Sequence, residues 1–293
     1  MLNQDTFFDK FKVKDLFEKS GLEWETLEKI YDDYSGRYDD IKNTCREIDQ
    51  TIADNITIPI HSIRSRVKDP EHLIEKIIRK RGKEQKEKYS QISPENYLDI
   101  IRDLIGIRIL VLSKEEWEGI FAWIVTAFSG KSDAIGTMEE RPVAYTRYGD
   151  RDIFGDKIHK EHTNKGYRSQ HYIVKYKNYY CEIQVRTLAE EVFGEFDHKV
   201  KYPYREDNKF LKRYTTSVSQ LLDSVDEIIS TCFQLGETGW ENCNSYYEDD
   251  RYVDWQNISQ SAQKGDETLD TDEWKTGTID IGAYADTVLL RKG

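Results

Sequence analysis

Glu182, Gln184 and Arg186 alternate with Cys181, Ile183 and Val185. In a β-strand successive side chains point to opposite faces. The spacing therefore sets a carboxylate, an amide and a guanidinium in one row, with an apolar face behind them. A solvated strand face has the same pattern, so the residues that accompany this one decide its meaning. Arg64, Arg66 and Lys68 alternate in the same way, and the segment that follows adds Lys76, Arg79 and Lys80. Cations at that density on one strand face and the next helix suit a polyphosphate. Asp103 stands at the start of the apolar run Leu104–Leu112, and Arg108 is the one charge inside it. A charge in such a strand is costly unless it is paired or set at an opening. Positions 103 and 108 have opposite parity, so Asp103 belongs on the turn before the strand, or the strand bulges.

The elements that must hold these residues follow from periodicity. The segment Gly166–Thr187 reads as a Gly-led turn, a strand, a two-residue turn at Lys177-Asn178 and the strand bearing Glu182. Ile60–Lys68 reads as a strand. Asp69-Pro70 then opens a helix, with Asp as the cap and Pro at the first position, ending near Gly82. Leu104–Leu112 is nearly all apolar, which predicts a central strand buried on both faces. Residues 5–19 form an amphipathic helix, and Ser93-Pro94-Glu95 opens a short one. Glu115–Phe128 reads as a helix covering the sheet, and 129–140 as a loop. Val143–Tyr148 is a short strand, and Gly149–Lys165 a mobile substrate loop. Leu188–Lys201 is helical.

Two long stripes frame this core. From Trp24 through Leu27, Tyr31, Tyr34, Tyr38, Ile41, Cys45, Ile48 to Ile52 the apolar steps alternate between three and four, as a helix requires, and Pro59 closes the segment. Leu211, Tyr214, Val218, Leu221, Val225, Ile228 and Cys232 repeat the same period. The two long helices are expected to pack together. Beyond Gly236 the periodicity is lost.

At 38% hydrophobic, the 293 residues can build a core, enough for one large domain or two small ones. No apolar run is long enough to span a membrane, and the N-terminus lacks a signal-peptide pattern; a cytoplasmic setting is expected. Cys45, Cys181, Cys232 and Cys243 have no metal-ligand spacing and read as small core hydrophobes. Net charge is −12, unevenly spread. Residues 236–293 hold thirteen acidic and five basic residues, whereas 61–90 hold ten basic and five acidic. An acidic chain with a local basic patch suits an anionic ligand better than non-specific nucleic-acid binding. There is no Walker-type P-loop and no Gly-x-Gly-x-x-Gly.

Four blocks then stand in order: Arg66-Val-Lys68 with Lys76, Asp103-Leu-Ile-Gly-Ile-Arg108, Gly166-Tyr-Arg-Ser-Gln-His171 and Glu182-Ile-Gln-Val-Arg-Thr187. In these the chain resembles the synthetase domain of the RelA/SpoT proteins, in particular the small single-domain alarmone synthetases. The likeness spans roughly residues 58–205. It implies an α/β (α+β) fold, a nucleotidyltransferase-like mixed sheet flanked by helices. Around that core the chain divides into an N-terminal helical segment (1–57), a C-terminal helix (206–235) and an acidic, aromatic-rich tail (236–293).

The resemblance also implies a reaction, transfer of the β,γ-pyrophosphate of ATP to a ribose 3′-hydroxyl with release of AMP. Arg66 and Arg108 would hold ATP, and Lys68 and Lys76 would meet its phosphates. Asp103 would bind Mg²⁺; Glu182 would be a second metal ligand or the general base. Tyr167, His171, Lys165, Gln184 and Arg186 would face the acceptor. That acceptor is GDP or GTP in alarmone synthesis, the stringent-response reaction. In the toxin-type branch it can be the 3′ end of tRNA. Three departures bear on the choice. His72 stands where the family commonly has serine. Lys165 precedes Gly166 where guanosine-specific members have Asn or Ser. The loop with Tyr148-Gly-Asp-Arg-Asp152 and the run Phe193–Pro203 are closer to the toxin-type branch. A non-catalytic nucleotide sensor is a third reading, disfavoured by the presence of both Asp103 and Glu182. The tail is expected to act as an antitoxin-like cover or to bind a regulatory partner. No hydrolase domain with a His-Asp metal motif accompanies the core.

Overall fold

A seven-stranded mixed sheet carries the site residues. In the computed structural model, which describes residues 2–84, 87–163, 166–200 and 208–238, the strands are β1 (Ser62–Val67), β2 (Ile105–Val111), β3 (Thr137–Met138), β4 (Val143–Arg147), β5 (His159–Thr163), β6 (Ser169–Tyr176) and β7 (Tyr179–Thr187). Their order is β1-β2-β7-β6-β4-β5, with β3 pairing β6. The β2–β7 and β4–β5 pairs are parallel and the others antiparallel. Lys165 and the tail lie outside the described residues.

The helices are α1 (Gln4–Phe11), α2 (Lys14–Ser20), α3 (Trp24–Asn55), α4 (Pro70–Gly82), α5 (Tyr97–Ile100), α6 (Trp117–Ala127), α7 (Leu188–Val200) and α8 (Lys209–Thr238). The segment expected as one helix over 5–19 is thus two. Lys12, with φ of 54°, caps the first and turns the chain. The long stripe from Trp24 folds as a 32-residue helix that stops at Asn55, short of Pro59. Asp69 caps α4 as its sequence predicts, its Oδ1 accepting from the amides of Glu71 (2.9 Å) and His72 (3.2 Å).

One sheet face is apolar. Ile105, Ile107, Ile109, Cys181, Ile183, Val185, Tyr172 and Val174 are buried in a continuous core. The α3 helix packs on β1 and β2 from this side. The α6 helix joins it, with Phe121 ring-to-ring against Tyr172 and the Trp123 indole donating to the Asn55 carbonyl. The opposite face is polar, and α7 covers one end of it.

Several expectations are corrected. The two long helices do not pair: α3 packs on β1, β2 and α4, whereas α8 packs on α7 and the turn before α6. The buried positions of α8 are Thr215, Ser219, Asp226 and Ser230, while Tyr214, Leu221, Val225 and Ile228 of its apolar stripe face solvent. Polar groups dock this helix. Asp223 pairs with Arg147 (2.9 Å) and Arg168 (2.7 Å), and the Ser219 hydroxyl donates to the Gly166 carbonyl. Cys232 is consequently exposed, unlike Cys45 and Cys181. Within 149–165, His159–Thr163 forms edge strand β5 rather than loop. Its His-Lys-Glu-His-Thr composition hides it from periodicity, since edge strands are commonly charged. The 129–140 segment likewise contributes β3.

Thr187 joins the end of β7 to α7 and α8 at once. Its hydroxyl accepts from the Glu190 amide while its own amide donates to the Glu190 carboxylate, a capping box. The same hydroxyl donates to Asp226 at 2.8 Å. Burial pushes Glu190 up to about 7, with the Asp226 charge adding to it. Burial likewise raises Asp226 to about 6. A carboxyl with a raised folded pKa holds its proton more tightly folded than unfolded. That contribution is complete below about pH 4, the unfolded value, and is lost as pH climbs through the folded values. Urea-unfolding stability is therefore expected to drop by about 4 kcal/mol between pH 5 and pH 8. Asp226→Asn should flatten the drop; an unchanged pH profile in that variant would show that the pair is not its source.

Candidate active site

Register builds the site row by row. Across the polar face Arg66 pairs with Gly106, Gly106 with Glu182, and Glu182 with Ile173. The next row runs Arg64, Arg108, Gln184, His171, Val143. Strands β1 and β2 and the β6–β7 hairpin, three segments distant in sequence, thus place their polar side chains on one surface. Asp103 sits on the turn before β2, which removes the parity conflict with Arg108 without a bulge.

Asp103 is clasped by two lysines: Lys76 Nζ stands 2.6 Å from Oδ1 and Lys68 Nζ 3.0 Å from Oδ2. Burial opposes its ionisation, but Lys76 and Lys68 outweigh that and hold the carboxyl well below the usual range. Burial lowers Lys68 despite Asp103; for Lys76 the same burial is outweighed by Asp103, and its pKa is raised.

Glu182 is held differently. Its Oε1 is 3.1 Å from His171 Nδ1, and its Oε2 accepts from the Gln184 amide at 2.5 Å. His171 Nε2 lies 2.9 Å from the Tyr167 hydroxyl. The Nδ1–H of His171 donates to Glu182. Burial pushes Glu182 upward, yet the charge and hydrogen bond of His171 prevail and keep the carboxyl at about 2. Asp103 pushes against Glu182 in the same balance, so the two carboxylates feel each other.

Two solvent-open cavities meet at these carboxylates. The first, about 680 Å³, is lined by Arg64, Arg66, Arg108, Gln184 and Glu195. The second, about 750 Å³, is lined by Lys76, Lys88, Arg102, Arg141, Tyr145 and His171 among others. Asp103 and Glu182 line both. Of the expected ATP ligands, Arg66 and Arg108 thus share the first cavity, Lys76 opens on the second, and Lys68 reaches Asp103 without lining either. Of the expected acceptor ligands, His171 lines the second cavity and Gln184 the first. Tyr167 and Arg186 stand behind them: Arg186 donates to the Tyr167 hydroxyl (2.5 Å) and to Gln184 Oε1 (2.6 Å). His72 lines neither, packing its ring on Phe11 at 5.1 Å.

Glu191 was not anticipated. It is buried, accepting from Arg108 Nη1 at 2.7 Å and Arg186 Nη1 at 3.0 Å. One turn later Glu195 also pairs with Arg108. The i,i+4 acids on α7 were the available signal. Gly194 lets the helix approach, because a Cβ there would lie 2.7 Å from Arg186 Nη1. Tyr145 also went unread; its ring stands 4.8 Å from that of His171. Among the described residues no cluster of three or more His, Cys, Asp or Glu forms a ready-made metal cage. Asp103 and Glu182 instead offer the two carboxylates that Mg²⁺ takes when phosphate oxygens complete its shell.

Residues 65–207 match the sequence profile described as the region found in RelA / SpoT proteins. This segment is a RelA/SpoT region. All four motif blocks of the RelA/SpoT region, and both carboxylates, fall inside the matched span; Arg64 lies one residue outside it. No curated protein matches the chain. Among solved structures it is similar to the small alarmone synthetase 1 from Bacillus subtilis, at 21% identity and TM-score 0.49, covering 72% of this chain and 98% of that one. It is also similar to smu.1046c from Streptococcus mutans UA159, at 23% identity, TM-score 0.46, covering 68% and 92%. A GTP pyrophosphokinase family protein from Streptococcus pneumoniae gives 21% identity and TM-score 0.46, covering 76% and 96%. No helix among the described residues is long and apolar enough to cross a membrane.

Removing Glu191 would leave Arg186 without a carboxylate partner and Arg108 with Glu195 alone. Breaking a buried pair from one side costs about 3 kcal/mol or more. Glu191→Ala is expected to lower the thermal midpoint by about 8 °C, read by circular dichroism. A shift under about 2 °C would mean that the bridge does not hold α7 to the sheet.

Proposed function

We propose that the chain is an ATP-dependent pyrophosphokinase that transfers the β,γ-pyrophosphate of ATP to the 3′-hydroxyl of GDP or GTP. The observation that carries this is the meeting of two cation-lined cavities at Asp103 and Glu182. A transfer between two bound molecules needs two such compartments and a charged wall between them. The match to the RelA/SpoT family supports the same reaction.

In this reading ATP occupies the first cavity. Arg64, Arg66 and Arg108 present flat guanidinium groups suited to stacking on adenine and to gripping phosphate. Lys76 and Lys68 neutralise the phosphate chain near Asp103. The acceptor occupies the second cavity, its base against Tyr145 and its phosphates among Lys88, Arg102, Arg141 and His171. The 3′-oxygen attacks the β-phosphorus as its proton passes to Glu182 or to water, the bond from that phosphorus to the oxygen bridging the α-phosphate breaks, and AMP leaves. Asp103 and Glu182 would hold Mg²⁺, which would supply charge neutralisation to the phosphates.

Glu182 was expected as a metal ligand or a general base. Its carboxylate, ionised beside His171, suits either role: ligand to the metal or general base on the acceptor hydroxyl. The basic residues of the second cavity also accommodate the terminal nucleotide of a tRNA, which makes tRNA the alternative acceptor.

The test is thin-layer chromatography with γ-labelled ATP, Mg²⁺ and, separately, GDP, GTP or total tRNA. Label on GDP or GTP is the expected result; label only on tRNA would replace the acceptor, and transfer to none would overturn the reading. Glu182→Gln should cut turnover about 100-fold or more while ATP binding by calorimetry persists.

A further inference from the structure

Two tyrosines meet at His171, and backbone pairing fixes only one of them. Strands β4 and β6 pair from Val143 with His171 to Tyr145 with Ser169, and there their ladder ends. Tyr167 lies past that end, on the turn before β6, yet its ring stands 6.0 Å from that of Tyr145. The Tyr145 ring meets His171 edge-on at 4.8 Å, and the Tyr167 hydroxyl is 2.9 Å from His171 Nε2. Side chains must therefore hold the turn. The Thr163 hydroxyl reaches the Tyr167 carbonyl from β5 at 3.0 Å, and Arg186 reaches the Tyr167 hydroxyl. The remaining grip comes from α8.

Asp223 of α8 takes a guanidinium from each tyrosine's segment. Arg147, two residues after Tyr145, donates to it at 2.9 Å, and Arg168, next to Tyr167, pairs with it at 2.7 Å. Asp150 closes the ring. It accepts from Arg168 Nε at 2.7 Å and Nη2 at 2.8 Å, and from the Arg147 amide at 2.7 Å. Two guanidinium groups thus balance two carboxylates, and the four side chains are only 13–26% exposed. Pairs sheltered to that degree are screened by salt less than surface pairs, and the planar fork of arginine fixes their orientation. Asp150 follows β4 directly, so Asp223 is the one member of the ring from a distant element. One turn earlier on α8, the Ser219 hydroxyl donates to the Gly166 carbonyl at 3.2 Å. The helix comes this close because Gly166, at φ 77°, has no Cβ; one there would lie 2.4 Å from Ser219 Oγ.

We propose that Asp223 is a positioning residue for the acceptor: from α8 it sets the spacing of Tyr145 and Tyr167, and through them the His171 ring. The proposal rests on the reading of the second cavity as the acceptor's seat. It separates the two halves of the site. Arg66, Arg108 and Lys76 stand on β1, β2 and α4, and none of them pairs with a member of the ring. Loss of the α8 grip should therefore fall on the acceptor and spare ATP.

Asp223→Asn keeps the side chain's shape and removes its charge, while Asp150 still holds Arg168 through two nitrogens. In the full chain, amide hydrogen exchange read by mass spectrometry should speed up over residues 145–150 and 166–169 and stay unchanged over β2 and α4. Ser219→Ala, which leaves the ion ring intact, should loosen 166–169 alone. In steady-state transfer the KM of Asp223→Asn for GDP or GTP should rise about 10-fold, with ATP affinity by calorimetry unchanged. Asp223→Glu should recover part of that loss. A merely structural role would lower the active fraction, and so kcat, at an unchanged KM. Unchanged exchange over both segments overturns the positioning role. Faster exchange with an unchanged acceptor KM, or with ATP affinity weakened equally, overturns the link to the acceptor. The exchange measurement needs no acceptor, so the two failures are distinguishable. A wild-type chain that transfers to nothing overturns the reading of the cavity and the acceptor role with it, whereas exchange alone decides whether Asp223 holds the two segments.

Discussion

One buried carboxylate organises the polar face. Glu191 receives a guanidinium from β2 and another from β7, two strands that are parallel neighbours. Without it, Arg108 and Arg186 would repel each other across adjacent strands in a half-dry environment. With it, they fasten α7 to the sheet and leave their remaining donors aimed at fixed targets. Arg186 then orders Gln184 and Tyr167, and these in turn order Glu182 and His171. Orientation passes from α7 to β7 through side chains whose hydrogen bonds leave little freedom to turn. Such support separates a site that is merely present from one that is preorganised.

The two sheet faces divide the labour. The apolar face, sealed by α3 and α6, supplies the burial that keeps the strands in register. Register decides the chemistry of the other face, because a slip of one residue would turn Glu182, Gln184 and Arg186 inward. The parallel pairing of β2 with β7 brings Gly106 beside Glu182. Gly106 has no side chain to stand between Arg66 and Glu182; a Cβ there would lie 3.6 Å from the Arg66 side chain.

Much of this was legible in the sequence where one physical rule dominated. The period-two alternation in β7 and the apolar run of β2, broken only by Arg108, announced strands. The Asp-Pro cap announced α4, and the three-four stripe announced α3. The pairing of four separate blocks into one surface came from their order and family likeness rather than from any local signal. What was not legible depended on neighbours. The strand β5 is polar because it lies at an edge. The buried role of Glu191 exists only because β2 and β7 each offer it an arginine. The α8 stripe reads as a core face by spacing alone; Asp223, Asp226 and Ser219 on its other side decide which way it turns. No periodicity rule weighs specific polar docking against apolar burial, so the expected pairing with α3 failed.

The clasp of Lys68 and Lys76 on Asp103 has one more implication on the proposed reading. In the ligand-free chain these lysines serve as built-in counter-ions, so a divalent cation arriving alone would have to displace two ammonium groups already in place. A nucleotide bringing phosphates gives those ammonium groups somewhere else to go and frees the carboxylate. Cation and nucleotide are thereby thermodynamically linked, each raising the affinity for the other by the same factor. On that reading the site would discriminate against naked metal by keeping its own positive charge at hand.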